Sequence, residues 1–437
     1  MELKELMRSA GIVGAGGAGF PSYAKLAEGA DTLLVNGSEC EPLLYTDYTI
    51  LKYELDTVIS GITLVMREAK IPRAILAIKE HTAERLNLSE GDTLSRGISV
   101  KVLPNVYPIG DEISLIYEST GRVVRPGTLP IGVGVIVYNV ETLYNLAVAD
   151  KNGTPVTEKW LTVGGAVDEP CVVRVPVGTA VRELFSKLGI SVPVGYSVID
   201  GGPSMGKIID YDTAIITKTT KALLILPDNS EAIRAKKINI RLAVSRAETA
   251  CCQCTRCTDM CPRALLGYPL EPHKMVRTAM SCATVMPKMV ISATLCCGCG
   301  VCESLACNQG ISPKAVINNY KQLLAKNKLR YSGPEVEVTR EREYRMIPSD
   351  KWASTLGVLK FDTVPTYLGK MDGFSRVEIP LDTHIGAPSV SIVKDGDKVE
   401  AEALIASASD GLSVPQHAPI AGVVTLKNQK IIIDRIK

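Results

Sequence analysis

The sequence has little net charge and no long apolar run. It contains 49 lysine and arginine residues against 47 aspartate and glutamate residues, which gives a formal net charge of +2. This balance excludes a general electrostatic attraction to nucleic acid or to an anionic membrane surface. No segment reaches the roughly 20 apolar residues of a membrane-spanning helix, and the N-terminus lacks the pattern of a signal peptide. We therefore expect a soluble, cytoplasmic protein.

Cysteine is nearly absent outside one short block. Eleven of the 13 cysteines lie between Cys251 and Cys307, and only Cys40 and Cys171 lie elsewhere. A disulfide framework would be spread through a small secreted domain, so this distribution excludes one and indicates metal or redox chemistry. The four histidines are scattered without metal-ligand spacing, and we expect none of them to be catalytic.

Residues 1–152 alternate strand-like and helix-like segments. Residues 48–70 have the length and apolar spacing of a helix. Short β-branched runs of the kind found in a buried sheet lie at 32–37, 73–79, 98–104 and 133–139. This alternation predicts an α/β layer domain.

The rest of the chain predicts a multidomain α/β protein, since 437 residues exceed what one hydrophobic core supports. Short strands and one helix at 153–230 have the outline of a β-grasp domain. The cysteine block at 240–325 predicts a helical ferredoxin-like domain. Residues 326–358 are polar and are interpreted as a linker, and short strands at 359–437 predict a small all-β sandwich.

Two cysteine runs carry the strongest signal. Cys251-x2-Cys254-x2-Cys257-x3-Cys261-Pro262 has the ferredoxin spacing, and a second run follows. Two such runs predict two [4Fe-4S] clusters, with the fourth cysteine of each run binding the other cluster. We assign cluster one to Cys251, Cys254, Cys257 and Cys307, and cluster two to Cys296, Cys299, Cys302 and Cys261.

Structural zinc is the alternative for these cysteines. Zinc takes four ligands as two pairs, so a CxxCxxC triplet leaves a surplus thiolate in each half and favours iron–sulfur. The second run, Cys296-x2-Cys299-x2-Cys302-x4-Cys307, departs from the common pattern in two ways. Four residues separate its last two cysteines, and Asn308 follows where proline is usual. Cys252, Cys282 and Cys297 are left over, and we predict that they are buried thiols or lie behind the ligands.

A glycine-rich stretch near the N-terminus, "GAGGAGFPSYAKL", matches a dinucleotide fingerprint by letter, as Gly14-x-Gly16-x-x-Gly19. A Rossmann fingerprint follows a strand, but the preceding "ELKELMRSAG" has helical spacing, so the Rossmann interpretation fails. The turn still offers backbone N–H groups to an anion, and a helix starting near Ser22 would point its positive end there. We expect a phosphate-bearing cofactor bound in another way.

Four motifs in order resemble the flavin and NADH domain shared by the 51 kDa subunit of respiratory complex I and the C subunit of the Rnf complex. They are the glycine stretch, "VNGSECEPLLYTD" (35–47), "YPIGDEISLIYESTGR" (107–122) and "PIGVGVIVYNVETLYNL" (130–146). The Glu-Cys-Glu form at 39–41 is the Rnf-like one. The resemblance implies an FMN and NADH site in this domain.

The resemblance also implies residue roles. FMN phosphate is held by Gly14, Gly16, Gly17, Gly19 and Lys25. The flavin is contacted by Asn36, Ser38, Asn139 and Thr142, and Gly110 belongs to the same cofactor site. NADH lies against Phe20, Glu39, Glu41 and Glu112. Without the resemblance, Glu39 and Glu41 are more simply interpreted as an exposed acidic turn.

The order of the domains resembles that of the cobalamin reductases of propanediol-utilising bacterial microcompartments. An Rnf C subunit usually begins with a barrel-sandwich domain, whereas here the matching segment lies at the C-terminus. This resemblance implies a soluble-ligand-binding β-grasp domain, a C-terminal barrel sandwich, and electron flow from NADH through FMN and two [4Fe-4S] clusters to cobalamin. It implies a corrinoid-handling partner such as an adenosyltransferase, microcompartment shell proteins as further partners, and a location inside a microcompartment.

Three alternatives stay open at this point. The chain could be a subunit of a membrane Rnf-type complex, an electron-transfer hub for another reductase such as one acting on an amino acid, or a structural metal-binding module.

Overall fold

The computed structural model describes residues 2–17, 19–280 and 287–436. Its N-terminal region is built from apolar strands flanked by helices, as expected for an α/β layer domain. The helices are α1 (Leu3–Ser9), α2 (Thr46–Glu68), α3 (Glu80–Leu86), α4 (Glu112–Thr120) and α5 (Val140–Asn152). The strands are β1 (Thr32–Asn36), β2 (Arg73–Lys79), β3 (Thr93–Ser95), β4 (Ile98–Leu103), β5 (Val106–Tyr107) and β6 (Val135–Asn139).

The sheet of this domain has the order β3-β4-β2-β1-β6. Strands β4, β2, β1 and β6 run parallel, and β3 is antiparallel at one edge. β2 follows β1 on one side, whereas β6 lies on the other, so the winding direction reverses between β1 and β6. Ligands of open α/β sheets bind in the crevice at such a reversal, outside the carboxyl ends of the strands.

A β-grasp domain follows and confirms that part of the expected fold. It consists of β7 (Glu158–Gly165), β8 (Cys171–Pro176), α6 (Val181–Lys187), β9 (Tyr196–Asp200), β10 (Lys207–Ile209) and β11 (Ala222–Pro227). Its sheet order is β10-β9-β11-β7-β8, with the first and last strands, β7 and β11, parallel at the centre. α6 packs Leu184 and Phe185 into the core of this sheet.

Short helices carry the cysteine block. They are α7 (Glu231–Arg234), α8 (Ile240–Ala250), α9 (Arg256–Asp259), α10 (Pro262–Leu265), α11 (Pro272–Ala279), α12 (Pro287–Ile291), α13 (Val301–Ser304) and α14 (Pro313–Lys326). Proline stands at the first turn of α10, α11 and α14, where its missing N–H has no helical partner to lose.

The segment assigned to a linker is instead folded at its C-terminal end. It contains β12 (Ile347–Pro348), which pairs with β5, and α15 (Ser349–Leu356). Trp352 of α15 is fully buried, stacks on Tyr107 and donates from Nε1 to Ser204 Oγ at 2.9 Å. β13 (Thr366–Lys370) then pairs with β8 and extends the β-grasp sheet. Local polarity hid these contacts because their partners lie far away in sequence.

The C-terminal region is an all-β sandwich, as expected. Its strands are β14 (Arg376–Pro380), β15 (Val390–Ser391), β16 (Lys398–Val399), β17 (Leu404–Ser407), β18 (Gln416–His417), β19 (Gly422–Lys427) and β20 (Lys430–Asp434). They form one sheet of order β14-β20-β19-β16 and another of order β15-β17-β18 around a shared apolar core.

In the described part of the chain, no helix is both long enough and apolar enough to cross a membrane.

Gly61→Ala should destabilise the N-terminal α/β domain. Gly61 of α2 lies so close to α5 that an added Cβ would be 2.1 Å from the Leu143 carbonyl oxygen, which is backbone and cannot turn aside. We expect a loss of about 1–3 kcal/mol in the free energy of unfolding, since overpacking forces the helices apart. Thermal unfolding measures this, and Gly132→Ala is the control because Gly132 has free space around it. Equal effects of the two substitutions would contradict the prediction.

Candidate flavin and iron–sulfur sites

The carboxyl ends of β1 and β6 bring two predicted residues together. Asn36 and Asn139 are the last residues of these parallel strands and are direct neighbours in the sheet. The glycine turn lies over the same edge, because an added Cβ at Gly16 would be 3.7 Å from Asn139 Cβ. The predicted cofactor residues therefore meet at the reversal point of the sheet.

The glycine turn is a closed backbone loop with an open outer face. Gly14 N donates to the Phe20 carbonyl at 2.8 Å, and Gly19 N donates to the Gly14 carbonyl at 3.3 Å. Gly16 and Gly17 are exposed, and nothing lies within 4 Å of a Cβ added at Gly17. Phe20 is half-buried. A phosphate-bearing group fits against this open backbone.

The helix expected near Ser22 is only a single 3-10 turn, Ser22–Lys25. An axial dipole over one turn is too small to attract a phosphate by itself. The turn instead aims Lys25 at the crevice, where its Nζ donates to Glu112 Oε1 at 3.0 Å and to the Val137 carbonyl at 3.1 Å. These side chains are 30% and 40% exposed, so the pair lies at the mouth of the site.

A small hydrogen-bond network shapes the turn after β1. Asn36 Nδ2 donates to the Gly110 carbonyl at 3.0 Å, and Ser38 Oγ donates to Asn36 Oδ1 at 2.7 Å. A Cβ at Gly110 would lie 2.7 Å from Ser38 Oγ, so only glycine fits there. Asn36, Ser38 and Gly110 therefore form one unit.

Asn139 and Thr142 hold the start of α5. Asn139 caps the helix by accepting from Glu141 N at 3.0 Å, and its Nδ2 donates to Asp47 Oδ2 at 2.8 Å. Thr142 is buried and its Oγ1 accepts from Ala15 N at 3.1 Å. Both side chains thus anchor the glycine turn and the helix ends.

Glu41 is buried and the side chain of Glu39 is only 8% exposed, so the interpretation as an exposed acidic turn is wrong. Glu39 Oε2 accepts from Tyr48 N at 3.0 Å, while Oε1 is buried without a hydrogen-bond partner. Burial, aided by the negative charge of Asp47, raises the pKa of Glu39 to about 7. Glu41 accepts from the backbone N–H groups of Ser204 and Met205, each at 2.8 Å, and so holds the flavin-binding region to the β-grasp domain.

Two buried lysines of the β-grasp domain face this site. Lys221 contacts Asp47 and lies 4.0 Å from Glu39, and Lys159 contacts Glu141. Burial lowers the pKa of Lys221, but the charges of Asp47 and Glu39 outweigh burial and raise it overall. The pKa of Lys159 is lowered by burial against the opposing effect of Glu141.

The predicted cluster-two cysteines line one cavity. The cavity is lined by Cys261, Cys296, Cys299 and Cys302, together with the leftover Cys297. Cys261 comes from the first run and the others from the second, so the fold brings the two runs together as the crossed assignment requires. Four thiols around one cavity fit the ligand set of a [4Fe-4S] cluster.

The predicted cluster-one cysteines also converge, at the surface. Burial, followed by the nearby charges of Cys307, Cys251 and Cys254, raises the pKa of the Cys257 thiol to about 12. Cys254 is exposed, and the other three are half-buried. Cys307 comes from the second run, so the crossing is reciprocal.

The leftover thiols differ from the prediction in one case. Cys252 is exposed rather than buried, and Cys297 is half-buried among the cluster-two cysteines. Cys282 lies outside the described residues. Within the described ranges, no three histidine, cysteine, aspartate or glutamate side chains are placed to hold a single metal ion.

The cluster-two cavity adjoins the flavin-binding region through two contacts. Tyr107 donates its hydroxyl to the Cys299 carbonyl at 2.7 Å. Arg263, which follows Cys261 and Pro262, pairs with Asp111 at 2.7 Å, and both side chains are almost buried. The loop between β5 and α4, which contains Gly110, therefore joins the two sites.

Sequence reasoning missed the residues that join domains. Lys159, Lys221 and Arg263 lie outside the quoted motifs, Asp47 is given no role although it ends one of them, and the partners of all four lie at least 18 positions away. The available signal was a lysine inside each apolar run, "KWLTVGG" and "KALLILP". A lysine in a buried strand needs a buried carboxylate.

Comparison with known families agrees with this arrangement. Residues 7–148 match the family described as the Nuo51 FMN-binding domain, residues 250–312 a 4Fe-4S dicluster domain, and residues 359–433 the RnfC barrel sandwich hybrid domain. These matches assign flavin and iron–sulfur cofactors to the chain and exclude zinc as the main interpretation of the cysteines.

Individual relatives extend the likeness. The chain is 37% identical to cobalamin reductase PduS of Salmonella typhimurium over 99% of this chain and 96% of that one. It is 32% identical to a component of the proton-translocating ferredoxin:NAD(+) oxidoreductase complex of Clostridium ljungdahlii, over 60% of this chain and 56% of that one. An NAD+-reducing [NiFe]-hydrogenase structure aligns with a TM-score of 0.47 at 18% identity, covering 83% of this chain and 67% of that one.

Glu39 should make stability depend on pH. Its pKa rises from 4.5 to about 7 on folding, so the folded chain keeps a proton that the unfolded chain has released. The resulting stabilisation is present below pH 4.5 and is lost as the pH rises to about 7. Between pH 4.5 and about 7, the free energy of unfolding of the wild type should fall by about 1–3 kcal/mol relative to that of Glu39→Gln. Urea unfolding at a series of pH values measures this difference. Glu84→Gln, at an exposed position of α3, is the control, and its curve of unfolding free energy against pH should be parallel to that of the wild type. If the Glu39→Gln curve were also parallel, the raised pKa of Glu39 would be refuted.

Cys302→Ala should remove the cluster-two site. We expect about half of the iron and acid-labile sulfide of the wild type, since one of two four-iron sites is lost. Iron and sulfide per chain are measured after anaerobic purification. Cys297→Ala is the matched control in the same cavity and should keep the full content. Equal losses in the two variants would contradict the ligand assignment.

Proposed function

Because this chain belongs to the cobalamin reductase family, and is an electron-transfer oxidoreductase, we propose that it carries electrons from NADH through FMN and two [4Fe-4S] clusters to cobalamin. The observation that carries the proposal is the order of the sites along the fold. The loop that contains Gly110, beside the flavin crevice, is joined to the cavity of the cluster-two cysteines, here called the inner cysteine group. The cluster-one cysteines, the outer cysteine group, include the exposed Cys254.

The cofactors supply chemistry that side chains lack: FMN accepts a hydride from NADH and releases electrons singly, as iron–sulfur clusters require. The residues of the chain bind and orient. Gly16 and Gly17 offer open backbone for a phosphate, and Lys25 supplies a positive charge at the mouth. Glu112 orients Lys25 and is placed to accept hydrogen bonds from NADH hydroxyl groups.

The inner cysteine group is held against the flavin side by charge and hydrogen bonding. The Arg263–Asp111 pair and the bond from Tyr107 to the Cys299 carbonyl fix the cavity to the loop that contains Gly110. Since the thiols of the other group open to the surface, electrons would leave the protein there. The acceptor proposed is cobalamin, free or held by a corrinoid-handling enzyme. Location in a microcompartment and contact with shell proteins stay predictions.

Anaerobic visible spectra test the proposal. We expect a flavin band over broad iron–sulfur absorption, bleaching on addition of NADH, and recovery on addition of hydroxocobalamin. If NADH did not bleach the spectrum, NADH would be refuted as the electron donor. Bleaching without recovery would refute cobalamin as the acceptor and favour a hub that serves another reductase.

Glu112→Gln should weaken reduction by NADH without loss of iron. Removing the charge that orients Lys25 should raise the NADH concentration for half-bleaching about tenfold, the effect of losing a hydrogen bond to a charged group. Anaerobic titration measures this, and iron analysis reports the cluster content. Glu84→Gln is again the control, and an unchanged titration in Glu112→Gln would contradict the role.

A further inference from the structure

Positive charge is concentrated beside the outer cysteine group. Residues 234–257 contain six lysine and arginine residues and one acidic residue, Glu248, whereas the whole chain carries a net charge of only +2. This segment includes α8 and ends in three of the predicted cluster-one cysteines. The rest of the chain is therefore slightly acidic, and positive charge is concentrated in this segment.

The packing of α8 turns these charges outward. Ala243 and Ala247 are buried against Val276 of α11. Arg241 and Arg246 of the same helix are exposed, as is Arg277, next to Val276. We define the basic face by seven exposed residues of α8, the loop after it, α9 and α11: Arg241, Arg246, Glu248, Cys252, Cys254, Arg256 and Arg277.

Glu248 and Asp259 are acidic residues close in sequence to these four arginines, so the local excess is of positive charge. Asp259 accepts from Thr255 Oγ1 at 3.0 Å, and Glu271 pairs with Lys274 at 2.8 Å, so that pair adds no net charge. Arg246 donates to the Gly310 carbonyl, which is neutral. The basic face therefore carries four arginines against Glu248 and Asp259, and it includes the exposed Cys252 and Cys254.

We propose that the basic face binds an acidic one-electron carrier protein, which receives electrons from the outer cysteine group. The proposal rests on the proposed function. Redox proteins form small, transient interfaces in which complementary charge steers the approach. Here the charge lies where the outer cysteine thiols reach the surface, so that steering and the exit of electrons coincide.

Two probe proteins of opposite charge test this. Rubredoxin is acidic and cytochrome c is basic, and both change colour on taking up one electron. The complete protein, with its cofactors, is reduced with dithionite, freed of excess and mixed with oxidised probe in a stopped-flow instrument. One electron passes to the ferric iron of the probe, which becomes ferrous, and no proton or bond is exchanged. With wild-type protein, added salt should lower the rate at which rubredoxin is reduced, because it screens the attraction. It should raise the rate at which cytochrome c is reduced, because it screens the repulsion.

Arg241→Glu/Arg277→Glu should invert the preference. We expect rubredoxin reduction at low ionic strength to slow about tenfold and cytochrome c reduction to accelerate. A damaged cluster site would slow both probes, so the opposite signs separate docking from damage. Arg96→Glu/Arg330→Glu makes the same charge change at exposed positions elsewhere and should alter neither rate more than about twofold.

Binding is read separately with zinc-substituted rubredoxin, which transfers no electron. Its affinity, measured by calorimetry, should fall in Arg241→Glu/Arg277→Glu and not in the control. The proposal would be overturned if the two double substitutions had equal effects, or if Arg241→Glu/Arg277→Glu slowed the reduction of both probes. It would also be overturned if the wild-type reduction rates did not change with salt concentration. Because dithionite replaces NADH, these outcomes are independent of whether NADH or cobalamin is the natural partner.

Discussion

Two buried lysine–carboxylate contacts join the flavin-binding region to the β-grasp domain, and the site depends on them. Lys159 reaches Glu141 in the first turn of α5, and Lys221 reaches Asp47 in the first turn of α2. Removing charges from water costs several kcal/mol per ion, and only a closely paired partner offsets this. The β-grasp domain therefore holds the helix starts that border the crevice, and it is a structural part of the flavin site.

A buried ion pair also joins the cysteine-containing region to the flavin-binding region. The almost buried Arg263–Asp111 pair ties the cluster-two cavity to the flavin-binding region, and Trp352 packs behind it on Tyr107. Each domain thus completes another domain's site. The three parts of the chain are expected to keep fixed distances, because separating them would break the Lys159–Glu141, Lys221–Asp47 and Arg263–Asp111 pairs.

Periodicity predicted much of the fold and little of the contact between domains. The parallel strands, α2 and the β-grasp helix follow from local apolar patterns, which record which face is buried. A local apolar pattern does not show which distant segment packs against the buried face. Residues 347–356 were therefore interpreted as a linker although α15 buries Trp352, and β13 was not expected to join the sheet of β8.

The three cysteines of each CxxCxxC run can be grouped from the sequence, because ligand spacing within a run is a local property that a short chain segment satisfies alone. The fourth cysteine of each predicted group comes from the other run, and the fold brings it there. Only the tertiary structure decided that one group adjoins the flavin loop and the other reaches the surface. It also decided that Glu39 and Glu41 are buried, because the residues that cover them, Lys221 and the Ser204–Met205 backbone, come from more than 160 positions away. Burial and charge depend on such distant partners, so no local motif could state them.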